Sequence, residues 1–326
     1  MAVSFLAASE FGSPDEIAAL YTETFAEYYT DGKLVEVEIT ADMLKTFIAH
    51  DQISLDLSPV MLVDGVPAGL TTIGVRSDGR ASYCRGFGVV PAFRGRGLGV
   101  ALADEMVRRA LEDGGAKTGT HMTLSCMADN ISAIATYRRA GFADARKLQN
   151  LQWDAPCQDL NPVNSNVVTV APATLLGLSG GTDSESAHQL LHPSSPVWPR
   201  DVESLRSFED LLAFAVPGDA GGYTAYALAQ PISGRVGGMG SPIAEAATAA
   251  AIVDLAGSSR ESIETVVAAL QAQFTSLSIG GEPVLERPSR EEQESYVLPV
   301  LLQCGFQVVY HRLEMTRSLH SVAHKL

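Results

Sequence analysis

The sequence predicts an α/β protein made of two tandem domains with a similar order of elements. Three observations predict it. At 326 residues, the chain is long for one hydrophobic core and comfortable for two domains of about 100–200 residues each. Strand-like and helix-like periodicities alternate along it. From Ala155 to Asn166 the composition shifts to Pro, Asn, Gln and Ser, and the halves on either side repeat one order of elements. The expected division is a domain over 1–155, a linker over 156–166 and a domain over 167–326.

The first half opens with a helix from Pro14 to Tyr29, where Ile17, Leu20, Tyr21 and Phe25 recur at helical spacing behind the start signal Ser13-Pro14-Asp15-Glu16. Thr40 to His50 reads as a second helix. Ile53 to Val63 alternates like a strand, Asp64-Gly65 makes a turn, and Pro67 to Val75 returns as the hairpin partner. A strand over 81–90, a helix from Gly99 to Glu112, a strand from His121 to Ala128 and a short helix from Ile131 to Ala140 follow. Leu148 to Trp153 closes the domain as a strand. In the second half the pattern predicts a helix over Val202–Phe214, strands over Gly222–Ala229 and Ala249–Leu255, and a helix over Arg260–Phe274. A strand through Val308-Val-Tyr-His-Arg-Leu-Glu-Met315 ends the chain. Gly141-Phe142 and Gly305-Phe306 each follow a helix and precede a terminal strand, the sharpest echo of a divergent internal duplication.

Composition narrows the function classes. Hydrophobic residues make up 46% and charged residues 19%, so each half can bury a core and disorder is not expected. A formal charge of -15 argues against a nucleic-acid partner and fits a cationic or amine-bearing substrate better. Cys84, Cys126, Cys157 and Cys304 lie far apart, which suits a reducing compartment rather than a disulfide framework or a zinc site. The histidines form no paired-ligand pattern, so no metal is expected. The first ten residues are too short and uncharged for a secretory signal, and no apolar run approaches the ~20 residues of a membrane span. The expectation is a soluble, cytoplasmic protein with no membrane partner.

The chemistry concentrates in Phe87-Gly-Val-Val90-Pro-Ala-Phe-Arg94-Gly95-Arg96-Gly97-Leu98-Gly99-Val100. An apolar strand runs into a glycine-rich basic loop, which opens a helix. Glycines let backbone approach a ligand closely, and a helix start presents unsatisfied N–H groups and a positive dipole end suited to a diphosphate. Arg94 and Arg96 add positive charge.

Arg94-Gly95-Arg96-Gly97-Leu98-Gly99 resembles the Arg/Gln-x-x-Gly-x-Gly/Ala signature of the GCN5-related N-acetyltransferase (GNAT) superfamily. A second motif of that family stands at the expected distance as Asn130-Ile-Ser-Ala133-Ile-Ala-Thr-Tyr137-Arg-Arg-Ala-Gly141-Phe142. The resemblance implies two tandem GNAT-like domains, each a mixed, mostly antiparallel sheet flanked by helices, working as a monomer or homodimer. It implies acetyl-CoA as co-substrate and a small-molecule primary amine as acceptor, attacked directly without a covalent enzyme intermediate. By resemblance Phe87, Val89 and Val90 would line the pantetheine arm, and the amides of Arg94 to Val100 would hold the diphosphate. Asn130 would cap the short helix beside the cofactor, and Ala133 would leave room for it. Tyr137, one turn beyond Ala133, would be the general acid. Tyr28 and Tyr29 would fall near the acceptor, or are simply helix-end aromatics. The strand 81–86 lacks the carboxylate many members use as base, so a water chain or a carboxylate from elsewhere, such as Asp56, would take the amine proton. Cys84 and Cys126 read as small core residues rather than nucleophiles.

The second half departs from the pattern. Ala256-Gly257-Ser258-Ser259-Arg260 replaces the Arg-x-x-Gly-x-Gly loop, although Ser259 can still cap the next helix. It reads as a degenerate domain that does not bind CoA and instead shapes the acceptor pocket or supports its neighbour. Two alternatives stay open: a CoA-binding sensor or scaffold without turnover, and an ATP-pyrophosphatase-like loop at Ser179-Gly180-Gly181-Thr182-Asp183-Ser184. The second reads better as a chance match in a Ser/Gly-rich loop. Gly234 to Gly240 reads as a hairpin loop.

Overall fold

The structure, a computed structural model, describes residues 1–26, 28–30, 33–35, 38–76, 82–113, 120–155, 166–177, 186–191, 202–208, 210–218, 222–232, 249–283 and 297–319. The Ser179–Ser184 motif, the Gly234–Gly240 loop, most of the expected linker and Cys157 lie outside the described residues. Elements of the first half are β1 (Val3–Ala7), α1 (Ala8–Phe11), α2 (Pro14–Phe25), β2 (Tyr28–Thr30), β3 (Lys33–Val35), α3 (Ala41–Asp51), β4 (Ile53–Ser54), β5 (Pro59–Val63), β6 (Val66–Val75), β7 (Ser82–Val89), α4 (Leu98–Arg108), β8 (His121–Met127), α5 (Ile131–Arg139) and β9 (Ala143–Asp154). The second half supplies β10 (Val168–Val170), α6 (Pro172–Leu175), α7 (Ala187–Leu191), α8 (Val202–Leu205), β11 (Leu212–Pro217), β12 (Tyr223–Ile232), β13 (Ala249–Gly257), α9 (Arg260–Gln273), β14 (Ser276–Pro283), α10 (Val297–Gln303) and β15 (Gln307–Ser318).

The chain forms two compact units. The first gathers Met1–Arg146 and, from the far end of the chain, the stretch beginning at Arg312; the second gathers most of Lys147–His311. In the first unit the strands run β1-β5-β6-β7-β8 and then Arg312–Ser318 of β15. All neighbours are antiparallel except β7 and β8. The β5–β6 hairpin turns at Asp64 and Gly65, both with positive φ, as a two-residue hairpin loop requires. In the second unit Leu148–Asp154 of β9 pairs with β14, followed by β13, β12, β11 and β10. The strand expected to close the first domain, Leu148–Trp153, therefore forms but completes the second unit. The last strand of the chain completes the first, with Arg312 opposite Met127 and Ser318 opposite His121.

Local chemistry explains the well-placed elements. Ser13 and Glu16 form a reciprocal capping box, with Glu16 Oε2 accepting from the Ser13 amide at 2.7 Å. Thr40 caps α3 through the Met43 amide at 3.2 Å. The duplication is visible backbone by backbone. Each unit has an antiparallel pair, a bulged strand, a helix and a parallel return strand, then a helix ended by a left-handed glycine, Gly141 (φ 85) or Gly305 (φ 89). The amides beyond those glycines turn back alike, Phe142 to Tyr137 O and Phe306 to Leu301 O, both at 3.0 Å.

Three expectations need correction, and one strand lies where none was expected. The helix over Val202–Phe214 shrinks to Val202–Leu205, because Leu212–Pro217 is a strand: Phe214 faces one buried cluster, while Ala213 and Ala215 face another. That is a two-residue period, and short apolar runs are ambiguous between the two states. The strand Ile53–Val63 is broken at its centre. Ser58 donates from its amide (3.1 Å) and its hydroxyl (2.6 Å) to Ser54 O, while the Leu57 amide turns to Ser54 Oγ; such local serine bonds compete with a ladder. The first helix stops at Phe25, so Tyr28 and Tyr29 lie on β2, paired with β3. Val3–Ala7, to which the sequence pattern assigns no element, is the edge strand beside β5.

Because Met315 of β15 is fully buried in the first unit's core beside Leu124, truncating it leaves a cavity far in sequence from that unit's other residues. Met315→Ala is expected to cost about 2–5 kcal/mol, read as a fall in the urea midpoint by circular dichroism. An unchanged midpoint would show that β15 does not stabilise the first unit.

Candidate functional site

The site begins with a mismatch between strands. β7 pairs with β6 along its length, but Thr71 faces Phe87 while Ile73 faces Cys84, so β7 carries one extra residue there. That is a β-bulge, which bends the strand. On its other side β7 runs parallel to β8 only at Ser82–Met122, Tyr83–Thr123 and Cys84–Leu124. Beyond Cys84 the two strands part, and among the described residues no strand lies beside the edge of β7 through Phe87 and Val89. An unpaired edge of this kind accepts an extended ligand as an added strand.

Two glycines hold the bulged strand close to α2. A Cβ on Gly86 would stand 1.5 Å from Tyr21 Oη, and one on Gly88 would stand 2.4 Å from a Thr24 methyl. β7 is thus pressed against α2 on one face while Phe87 turns to the other, toward α4 and α5. Past Val90 a short 3₁₀ turn, Pro91–Phe93, leads to Gly95 (φ 74) and Gly97 (φ 78). Both are left-handed, a conformation L side chains rarely adopt, and nothing stands within 4 Å of where a Cβ would be. Gly97 is the N-cap of α4 and offers no side chain to its amides. The first turn of α4 therefore presents N–H groups and the positive dipole end outward. The loop arginines act as braces: Arg94 donates to Val89 O and Thr24 O, both at 2.9 Å, and Arg96 donates to Ala92 O at 3.1 Å. Their charge stays beside the loop while their bonds fix its shape.

The second motif closes the site. Asn130 caps α5, its Oδ1 accepting from the Ala133 amide at 3.0 Å. The first turn of α4 lies beside the second half of α5, with Thr136 3.7 Å from where a Cβ on Gly99 would stand. Tyr137, only 5% exposed, sets its ring edge-on to Phe87 at 5.2 Å and to Phe142 at 6.2 Å. The helix residue and the strand residue singled out in the sequence thus meet at the parting of the strands.

Other candidates do not join them. Asp56 sits exposed in the turn between β4 and β5, its Oδ1 accepting from Ser9 Oγ at 2.6 Å. Its carbonyl accepts from Arg109, just past the C-terminal end of α4 and thus at the opposite end from Gly97. Burial pushes the Cys84 thiol up to about 12 and the Cys126 thiol to about 11, so both stay protonated and serve as packing. Sequence reasoning missed a pair beside the bulge: Arg85 of β7 donates to Asp51, which is fully buried at the end of α3, and its guanidinium lies 4.0 Å over the Phe47 ring. No local pattern joins positions so far apart in sequence.

The second unit has the corresponding helix start but not the opening. Ser259 Oγ accepts from the Ser262 amide at 3.2 Å and caps α9, while the Ser258 amide is taken by Thr224 O at 2.8 Å. Two of the amides at this helix start are thus already paired. At the bulge of β13, Tyr226 donates to the fully buried Asp254.

The residues of the first unit suit coenzyme A: a free strand edge for its extended arm, glycine-lined amides for its diphosphate, and a phenol where the arm would end. Residues 15–142 match the model of the acetyltransferase (GNAT) family, which identifies a GNAT acetyltransferase domain in the first half of the chain. Solved structures agree in fold. A GCN5-related N-acetyltransferase from Sphaerobacter thermophilus aligns over 98% of this chain and 96% of its own, with 14% identity and a TM-score of 0.60. A tandem GNAT protein from the clavulanic acid biosynthesis pathway aligns over 98% and 99%, with 14% identity and a TM-score of 0.58. A GCN5-related N-acetyltransferase from Anabaena variabilis aligns over 98% and 73%, with 13% identity and a TM-score of 0.56. No curated protein sequence matches the chain. Among the described residues no helix is long and apolar enough to cross a membrane, and no cluster of candidate metal ligands occurs.

Burial also raises Tyr21 and Tyr83, each to about 12. With Cys84 these groups hold protons in the folded chain that the unfolded chain releases from about pH 8.5 to 10 upward. Stability they contribute is whole below that range and is lost as pH rises toward 12. The urea midpoint is expected to fall across pH 9–11 by more in wild type than in Cys84→Ala; equal slopes would contradict the thiol's share.

Proposed function

We propose that the first unit transfers an acetyl group from acetyl-CoA to a primary amine of a small molecule. The reading is supported above all by the strand edge left free beyond Cys84, which ends in the glycine-lined start of α4 and has Tyr137 set against Phe87. Acetyl-CoA supplies an activated thioester. Backbone groups at Phe87 and Val89, with the neighbouring Val90, would align its arm as an added strand, and the amides from Arg94 to Val100 would hold its diphosphate, helped by the α4 dipole. Asn130 fixes the start of α5, and Ala133 keeps that helix's face low beside the arm.

Tyr137 holds a proton on its phenol oxygen and would deliver it to the departing thiolate, a role typically worth about 10²–10⁴ in rate. Asp56 is poorly suited to take the amine proton, since it is exposed, bonded to Ser9 and at the far end of α4. We assign that step to solvent water. Tyr28 and Tyr29, on the β2–β3 hairpin, stay candidates for contact with the acceptor. Main-chain satisfaction at Ser258 and Ser262 supports the second unit as one that does not bind CoA.

Tyr137→Phe is expected to lower kcat by about 10²–10³ while calorimetry shows CoA binding within a few-fold of wild type. Wild-type protein that binds CoA yet releases none with a broad panel of amines would favour a sensor over an enzyme. A protein that binds no CoA would defeat both readings.

A further inference from the structure

The face of the first unit's sheet turned away from α4 and α5 carries a cation at the parting of the strands. Leu313 and Met315 pack into the core with Leu124 and Cys126. By strand alternation Arg312 and Glu314 therefore lie on the opposite face. Glu314 is engaged by Arg146, at 2.5 and 3.1 Å. Arg312 Nη2 donates to Ser125 O at 3.1 Å, while its Nε is buried with no hydrogen-bond partner among the described residues. No described carboxylate pairs with it.

The position gives this meaning. Ser125 is the first residue of β8 beyond the last β7–β8 pair, so the guanidinium lies at the closed end of the split. Tyr83, on the last paired stretch of β7, senses its charge. Val89 is five residues beyond Cys84, which at ~3.3 Å per residue sets the diphosphate loop ~16 Å away. Arg312 therefore belongs to the reacting end rather than to the loop. Arg85, the neighbouring arginine on the same face, is held by Asp51 and leaves Arg312 as the group with a bond to give.

We propose that Arg312 binds an oxyanionic group of the acceptor, so that the substrates are amines bearing a carboxylate or phosphate near the nitrogen. This rests on the acyltransferase reading and names its substrate class. A planar guanidinium anchored at Nη2 and short of a bond at Nε suits a charge-assisted bond to such a group.

The test is binding and turnover with matched pairs: a panel of α-amino acids against their α-carboxamides, and O-phosphoethanolamine against ethanolamine. Calorimetry is expected to show the anionic member of at least one pair binding roughly tenfold or more tighter. The two kinds of pair separate carboxylate from phosphate. Arg312→Gln should erase the discrimination and Arg312→Lys should keep part of it, with CoA affinity unchanged in both. If Arg312→Gln does not fold, a wild-type ratio in Arg312→Lys would count against the proposal, since a point charge does not reproduce the fork. Neutral members binding as tightly as anionic ones, or Arg312→Gln weakening both members equally, overturns it. Discrimination without CoA binding would defeat the acyltransferase reading, and with it the substrate class, and leave only the anion contact at Arg312. CoA release with neutral amines alone would do the reverse.

Discussion

The separation of β7 from β8 after a short run of parallel pairing is the constraint on which the first unit's chemistry depends. A strand bulged between Cys84 and Phe87 cannot follow both neighbours, and it stays with β6. Its other edge is then free, and the chain beyond it turns through Gly95 and Gly97 into α4. The opening is held from behind, because Gly86 and Gly88 bring α2 so close that no side chain fits between. The strand cannot relax toward α2 to close the gap. Rigid backing is what lets a backbone edge act as a preformed site.

How much of this was legible follows from the range of each interaction. The glycine loop, the Asn130 cap and the one-turn step from Ala133 to Tyr137 are written within a few residues, and each forms as the sequence pattern implies. The Gly141 and Gly305 helix ends are local too, and they carried the duplication. The Arg85–Asp51 pair, the Arg312–Ser125 bond and the exchange of final strands join distant parts of the chain, and no periodicity encodes them. Where local reading failed, a second local preference had won: Ser54 and Ser58 bonded each other's neighbourhood and broke a strand, and Leu212–Pro217 alternated too briefly to be told from a helix.

The two units show how little separates a site from a scaffold. Both keep the bulge, the parallel return and a helix beginning at the strand's end. In the second, serines at 258, 259 and 262 satisfy one another and Thr224 O. A capped helix start is the more stable local state, and with the Ser258 bond it withdraws two of the donors an anion could use. In the first, glycine at the cap leaves them out, and left-handed backbone at two positions is the structural cost.

Composition and geometry give opposite indications about the acceptor, and their ranges decide between them. A net charge of -15 spread over the surface favours cations at a distance, yet salt screens such fields within about 8 Å under physiological conditions. A guanidinium with an unmade bond acts at contact, in a half-buried setting where charge-assisted bonds are stronger than in water. Surface charge can bias which molecules arrive, whereas Arg312 bears on which of them stay. The strand that delivers it comes from the end of the chain, so the first unit's acceptor side is completed only when the last strand has docked against β8. Anything that loosens Arg312–Ser318 from β8 removes both a sheet edge and a substrate contact at once, which ties the fold of the chain's end to the selectivity of its beginning.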